Sequence, residues 1–332
     1  MRLVSRTSHP ALMRVTLGVV LSLWPGLARA ERDDAPRKNE RKDHDADCGG
    51  PCTGPRTLGG HTFVPSTLVE WPFIVSRVAS TTSVGLAEID VGPQRLALQL
   101  GVAGKQDFVF GAQSLLGSVA ITPWISLALR AQGSFVAPTG TRGAAFIGGH
   151  GLYGGDATVA VRLLRTGRLQ ASLLVDAGRS RAISVVPARL PRSPLQEGDL
   201  TIVRPALAIA CAFTPRLGLQ ASASFAWQWL DVIEEDSFQT LTGSAALTFD
   251  VRVVPLMLLV AGQYSHDEGE STVVDAIDVV YGTGESAVWG EAAIVYRGIR
   301  ALDLGAALHW KLDDADEASR WFGQVWLAYY FL

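Results

Sequence analysis

Apolar and polar side chains alternate with a period of two through most of the chain after about Leu96, in segments of about ten residues. In residues 217–230, odd positions carry Leu, Ala, Phe or Trp, whereas even positions include Gly, Gln and Ser. In residues 301–313 the even positions are the apolar ones, and Asp303 and Lys311 lie on the other face. Because successive side chains of a strand point to opposite faces, each segment predicts a strand with one lipid-suited and one water-suited face.

The connections between these segments alternate between short and long. The short ones fall at 123–124, 166–167, 214–216, 254–255 and 298–299, and the long ones cover 138–151, 184–201, 231–237, 267–286 and 314–319. Transmembrane β-barrels of bacterial outer membranes have short periplasmic turns and longer extracellular loops. The spacing therefore predicts an all-β protein, an antiparallel transmembrane barrel with both chain ends on the short-turn side.

Counting the alternating segments predicts twelve barrel strands. They lie near 95–103, 108–122, 125–137, 152–165, 168–183, 202–213, 217–230, 238–253, 256–266, 287–298, 301–313 and 320–332. A further candidate at 84–89 would make the number odd, unless 73–78 is also a strand. Fourteen strands is therefore the alternative count.

The chain begins with a segment typical of a secretory signal peptide, assigned to residues 1–30. Arginines precede a short apolar run, which ends at Pro25-Gly26 and a small-residue site finishing at Ala30. Residues 31–60 are mostly charged, polar or Gly/Pro-rich and predict a disordered linker. Residues 61–94 are assigned to an extended pre-barrel segment or to the first strands, and residues 95–332 to the barrel.

Two of the three cysteines lie together in the predicted linker. Cys48 and Cys52 are candidates for a small disulfide, since an exported chain meets an oxidising compartment. Without paired histidines nearby they make a poor zinc site, and no metal or cofactor is expected. Cys211 lies among apolar residues, where a small apolar role is expected.

The last strand alternates Val325, Leu327, Tyr329 and Phe331 on one face. It resembles the terminal strand of Gram-negative outer-membrane β-barrels, which ends on an aromatic residue, although here Leu332 follows. The resemblance covers that strand alone. It implies an outer-membrane location after signal-peptide cleavage, and contact with the barrel-assembly machinery, with outer-membrane lipid and with lipopolysaccharide.

Charged side chains fall mainly on the water-suited register, and their signs are mixed. The predicted lumen-lining residues are Arg130, Arg162, Asp176, Arg204, Asp250, Arg252, Glu291, Asp303, His309 and Lys311. One interpretation is a porin-like pathway for the passive passage of small hydrophilic solutes, lined by these charges. The other is a filled, non-conducting barrel that stabilises the envelope or binds a partner through its loops.

Other classes of function receive less support from the sequence. The net charge of −3, without a basic stripe, gives no case for nucleic-acid binding. No histidine forms a local signature with a serine, so an enzyme is not predicted, although an outer-membrane hydrolase stays as a third hypothesis. The oligomeric state stays open, as does the possibility that residues 31–94 or 185–200 plug the lumen.

Overall fold

The computed structural model describes residues 55–91, 104–141, 144, 148–185, 195–231, 235–251, 253–268, 286–299, 301–312 and 320–331. Within these residues, no helix is long and apolar enough to cross a membrane. The predicted signal peptide, Cys48, Cys52 and Arg252 lie outside the described residues, as do most of the predicted linker and most of the 185–200 segment.

A short hairpin precedes twelve long strands. The hairpin strands are β1 (Thr57–Leu58) and β2 (His61–Thr62), and the barrel strands are β3 (Arg77–Val91), β4 (Gly104–Thr122), β5 (Ile125–Pro138), β6 (Gly149–Arg165), β7 (Leu169–Val185), β8 (Leu195–Ala212), β9 (Leu217–Asp231), β10 (Glu235–Asp250), β11 (Leu256–Glu268), β12 (Ser286–Ile299), β13 (Leu302–Lys311) and β14 (Arg320–Tyr330). Each barrel strand pairs antiparallel with its neighbours in the chain, and β14 pairs with β3 to close the barrel.

Closure confirms the count of twelve and excludes fourteen, but the first strand differs from the prediction. The predicted strand 95–103 lies outside the described residues, and its expected place beside β4 is taken by β3. The barrel therefore begins at Arg77 rather than at residue 95. The outward face of β3 mixes Ser80 and Thr82 with valines, so its apolar alternation is weaker than that of the later strands.

The alternation predicted from the sequence sets the two faces of the wall. On β5, Leu127 and Leu129 point outward and are 40% and 61% exposed, whereas the inward Ser126 is 7% exposed. We call the end with the short turns the inner end and the end with the long connections the outer end. Exposed outward aromatic side chains collect near both ends, as expected at two membrane interfaces. They include Phe135, Tyr153, Trp229 and Tyr264 near outer ends and Phe213, Tyr296, Tyr329 and Phe331 near inner ends.

Residues 55–76 lie inside the barrel, and we call them the lumen segment. Their side chains pack against the inner face of the wall and form three apolar clusters with it. Residues 55–60 were expected to belong to the disordered linker, and this part of the prediction is wrong because Leu58 is 1% exposed. Its apolar partners lie on distant strands, so the sequence around it carries no sign of them.

Candidate functional site: the lumen and the segment inside it

The lumen segment enters at the inner end of the barrel as the β1–β2 hairpin. Its turn is Gly59-Gly60, with φ of 53° and 81°, a left-handed conformation that glycine adopts without strain. The Gly59 N–H donates to the carbonyl of Gly167, in the turn before β7, at 2.6 Å. The turn also packs against Pro215, in the turn before β9. Glycine is therefore needed both for the fold of the hairpin and for its fit against the inner turns.

From the hairpin the segment runs towards the middle of the barrel along the inner face of β9–β13. His61 Nε2 and Thr248 Oγ1 are 2.8 Å apart, and Gln220 Nε2 donates to the Val64 carbonyl at 2.8 Å. Both wall residues are fully buried. Buried polar groups of the wall are thus hydrogen-bonded to a part of the chain that is remote in sequence. These bonds matter because a buried polar group without a partner destabilises the fold.

The apex of the segment reaches polar and charged residues near the middle of the wall. Ser66 Oγ and the Thr67 N–H donate to Glu291 Oε2 at 2.6 and 3.2 Å. Thr67 Oγ1 lies 3.3 Å from Nε2 of His309, which is itself fully buried. Two of the predicted lumen residues therefore meet at the same turn of the segment.

Across the lumen the apex engages a second charged group. Glu70 Oε1 is 3.0 Å from Arg204 Nη2, and the same guanidinium contacts Asp176 at 2.6 Å. The Glu70 N–H donates to Ser222 Oγ at 3.1 Å. Arg204 thus bridges a wall carboxylate and a carboxylate of the segment. The sequence predicted that Arg204 and Asp176 line the lumen, but it had no signal for their pairing or for Glu70.

The segment then returns to the inner end before it continues into β3. The Pro72 carbonyl accepts from Gln170 Nε2 at 2.6 Å and from Ser172 Oγ at 2.5 Å. The Val75 carbonyl accepts from Ser118 Oγ at 2.9 Å. The segment therefore forms a loop within the lumen, with both of its ends near the inner turns.

A charged cluster lies where the segment enters. Arg56 forms a bidentate pair with Asp303, whose side chain is 1% exposed, and its guanidinium lies 3.8 Å from the centroid of the Tyr330 ring. Arg297 lies 3.9 Å from both Asp303 and Asp250. Bidentate pairs of arginine and carboxylate combine energy with geometric specificity. The entry of the segment is therefore fixed in orientation as well as in position.

Apolar side chains complete the docking. Leu58, Phe63, Phe73 and Val75 pack together with alanines of the wall and Tyr330, while Val64 and Val69 pack against β10–β14. All six are at most 5% exposed. The signal in the sequence was the presence of these apolar residues outside the alternating segments, but nothing in their spacing revealed where they dock.

Three other predicted residues lie on the wall. Arg130 pairs with Asp156 at 2.9 Å. Arg162 stacks over the Trp124 ring, in the turn before β5, at 4.4 Å from the centroid. Lys311, on β13 opposite Trp289 of β12, is partly buried. Arg130, Arg204, Asp250 and Asp303 are thus paired with opposite charges, whereas Arg162 packs on an aromatic ring.

Space remains between the segment and the opposite wall. A cavity of about 330 Å³ is lined by residues of the segment, by β3–β8 and by β14, with polar contributions from Arg130, Arg204, Ser114 and Thr158. Towards the outer ends of the strands, partly buried polar side chains such as Gln132 and Gln228 face inward. Above the segment the wall is therefore polar, as a hydrated lumen requires.

His61 of the segment has a pKa well below its ordinary value. Burial lowers the pKa of His61 to about 4; the nearby Asp250 opposes this shift, and Arg297 reinforces it. His61 is therefore neutral at pH 7 while the segment is docked, and its protonation favours the undocked state.

A hydroxyl–imidazole pair lies elsewhere, at the outer ends of β11 and β12. Ser286 Oγ is 3.0 Å from His266 Nδ1 and 3.3 Å from the Tyr264 hydroxyl. The sequence did not reveal this cross-strand pair. Among the described residues, no hydrogen bond orients the second ring nitrogen of His266, and no cluster of His, Cys, Asp and Glu is arranged to hold a metal. The pair lacks the orienting third group of nucleophilic sites.

Comparison with known proteins supports the fold. No family model matches the chain, and no curated protein sequence matches it. The translocator domain of the autotransporter NalP from Neisseria meningitidis is similar, with a TM-score of 0.52 and 10% identity over 96% of this chain and 98% of that one. An outer-membrane channel from Pseudomonas putida F1 aligns with a TM-score of 0.48 and 11% identity over 81% of this chain and 100% of that one. A Pseudomonas aeruginosa FadL homologue aligns with a TM-score of 0.44 and 10% identity over 79% and 92%. The fold is that of a Gram-negative outer-membrane β-barrel.

Proposed function

We propose that the chain forms a porin-like pathway for small hydrophilic solutes, closed in its inner half by its own lumen segment until that segment is displaced. In this proposal the mature chain begins after Ala30 and is inserted into the outer membrane by the barrel-assembly machinery. Cell fractionation and sequencing of the mature N-terminus test the location and the cleavage site.

The observation that carries the proposal is that wall charges of the inner half find partners in the lumen segment. Asp303, Glu291 and Arg204 contact Arg56, Ser66 and Glu70, respectively. Once the segment leaves, these groups line a water-filled space, where charged side chains are well solvated and select among solutes. The segment also continues directly into β3 near the inner end. It can therefore leave the lumen at that end without the chain passing through the barrel.

The second candidate is a permanently filled, non-conducting barrel, and the apolar docking favours it. Burying a large apolar side chain stabilises a protein by about 1.5–3 kcal/mol. The buried side chains of the segment, Leu58, Phe63 and Phe73 among them, therefore oppose release by roughly 10 kcal/mol. Opening of the wild type is accordingly expected to be rare without an external driving force.

A reversible covalent lock distinguishes the two candidates. A Cβ atom on Gly59 would lie 3.4 Å from the Ala212 Cβ, close to the separation of about 3.5–4.5 Å in disulfides. Gly59→Cys/Ala212→Cys is made in a background with Cys48→Ser, Cys52→Ser and Cys211→Ala. Gly59→Cys alone is the control, because it carries the same strain of a non-glycine residue at positive φ.

Planar-bilayer recordings of the purified mature chain provide the measurement. The control is expected to show rare discrete openings, the oxidised double variant none, and reductant should restore them. If the folded control never conducts although its lumen segment is accessible to protease, the pathway is rejected and the non-conducting barrel remains.

A further inference from the structure

We propose that the outer surface of β3–β7 binds one phosphorylated glycolipid of the outer leaflet, with an acyl chain in a glycine-floored groove and a phosphate on Arg179 and Arg181. The site faces lipid rather than the lumen. It therefore does not depend on whether the barrel conducts.

The groove crosses the strands on the outward face. Its cavity of about 470 Å³ is lined mainly by apolar surface, including Val84, Phe135, Tyr153 and Ile183. Val84, Phe135 and Tyr153 are 60%, 55% and 51% exposed. Bulky side chains thus surround a depression that is open to the membrane.

Glycines form the floor because of the cross-strand register. Gly111, Phe135, Gly151 and Ile183 follow one another across β4–β7 in one row, so a large side chain alternates with a glycine. The neighbouring row runs from Gln113 through Gly133 to Tyr153. A Cβ on Gly133 would meet only the Leu152 carbonyl, at 3.8 Å. The depression at this position therefore exists because the side chain is absent.

The row of outward residues that contains Gly133 continues beyond the groove to a pair of arginines. Tyr153 is opposite Arg181, which is in turn opposite Asp199 on β8. Asp199 accepts from Arg179 Nη2 at 2.6 Å and from Arg181 Nε at 3.1 Å. One carboxylate thus holds two guanidinium groups side by side near the outer end of the wall.

These arginines have the chemistry to bind a phosphate. Arg179 and Arg181 have side chains 70% and 47% exposed, and Glu197 lies 3.7 Å from Arg181 with 47% exposure. Asp199 and Glu197 offset much of the charge, so the site offers oriented N–H donors more than excess charge. A guanidinium has five such donors in a planar fork that matches phosphate oxygens. A lipid whose acyl chain lies in the groove and whose anionic headgroup contacts the arginines fits both parts of this surface.

Native mass spectrometry of the delipidated mature protein in detergent tests the proposal, with lipid A, dephosphorylated lipid A and phosphatidylethanolamine as probes. Wild type should bind one lipid A at least about tenfold more tightly than the dephosphorylated form, since hydrogen bonds between a guanidinium and a phosphate are stronger than those between neutral groups. Arg179→Ala/Arg181→Ala should abolish this preference. Gly133→Leu should weaken the binding of both forms of lipid A, because the leucine side chain fills the groove.

Matched controls lie elsewhere on the barrel. Gly243→Leu adds the same side chain to an outward glycine of β10, where a Cβ meets nothing within 4 Å, and Arg216→Ala removes an exposed arginine at an inner turn. Both controls should bind lipid A like the wild type, and heat-dependent electrophoretic mobility verifies that every variant is folded. Equal binding of the two forms of lipid A by the wild type, or equal losses in the controls, would overturn the proposal. A lipid-free dimer abolished by Gly133→Leu would also overturn it, because the occupant would then be a second copy of the chain.

Discussion

The inner and outer halves of the lumen are built from the same alternating strands but are completed differently. In the inner half, buried wall groups such as Glu291 and Gln220 are hydrogen-bonded to the lumen segment. In the outer half, inward side chains pair within the wall, as Gln228 does with Thr240 at 2.9 Å. The same inward register therefore becomes a packed interface where a segment docks and a polar wall where none does. Docking of the segment makes the difference together with the wall sequence, because the inner half offers small or apolar inward side chains such as Ala210, Met257 and Ala328.

Removing an apolar anchor of the inner half should have the largest effect. Phe63→Ala deletes a fully buried ring that packs on His61 and Phe73, and buried Phe→Ala changes cost about 3–5 kcal/mol. We expect the segment to become much more sensitive to limited proteolysis while the barrel keeps its heat-dependent mobility. Phe135→Ala, on the lipid face, is the control. Equal protection of the segment in Phe63→Ala and wild type would mean that the apolar clusters do not hold it.

Breaking the ion pair at the entry should have the next largest effect. Asp303→Ala leaves the Arg56 guanidinium largely buried without its carboxylate, and removing one partner of a buried pair costs about 3 kcal/mol or more. Because Arg56→Ala/Asp303→Ala leaves neither charge behind, the double variant should recover part of the loss. A double-mutant cycle on the thermal midpoint measures this coupling. Additive losses would show that the pair is not coupled.

Acidification should loosen the inner half alone. The pKa of His61 is lowered to about 4 in the docked state, against about 6.5 for an exposed histidine. The undocked state therefore binds more protons at His61 in this window. The contribution of His61 to docking falls as the pH decreases from about 6.5 to 4, by about 2 kcal/mol at pH 5. The rate of proteolysis of the segment at pH 7 and at pH 5 measures this weakening of docking. If His61→Gln keeps the same pH dependence, other groups are responsible.

Changing the outer half should have the smallest effect. Gln228→Ala removes a hydrogen bond from a partly hydrated wall, and such changes usually alter stability by about 0.5 kcal/mol or less. We expect wild-type segment protection and a thermal midpoint within a degree or two, roughly, for a chain of this size. A loss as large as that of Phe63→Ala would show that the outer half is packed as tightly as the inner half.

The sequence by itself determined the faces of the wall. A period of two assigns each side chain to lipid or lumen, and short and long connections assign the two ends of the barrel, because both are local properties of strands and turns. The later strands agree closely with their predicted bounds, as β9 and β11 do. The first strand, β3, contains the further candidate at 84–89 but begins earlier, at Arg77. Its outward face contains Ser80 and Thr82, which weaken the local signal.

Only the tertiary structure decided which partners meet inside and outside the barrel. Arg56 and Asp303 are 247 residues apart in the chain, and neither the Glu70–Arg204 pair nor the Arg179–Asp199–Arg181 cluster follows from a spacing. Such contacts arise because closure of the barrel and docking of a loop bring distant positions together. The hydrophobic pattern specifies the face on which a residue lies but not its partner across the lumen, which depends on register, closure and burial.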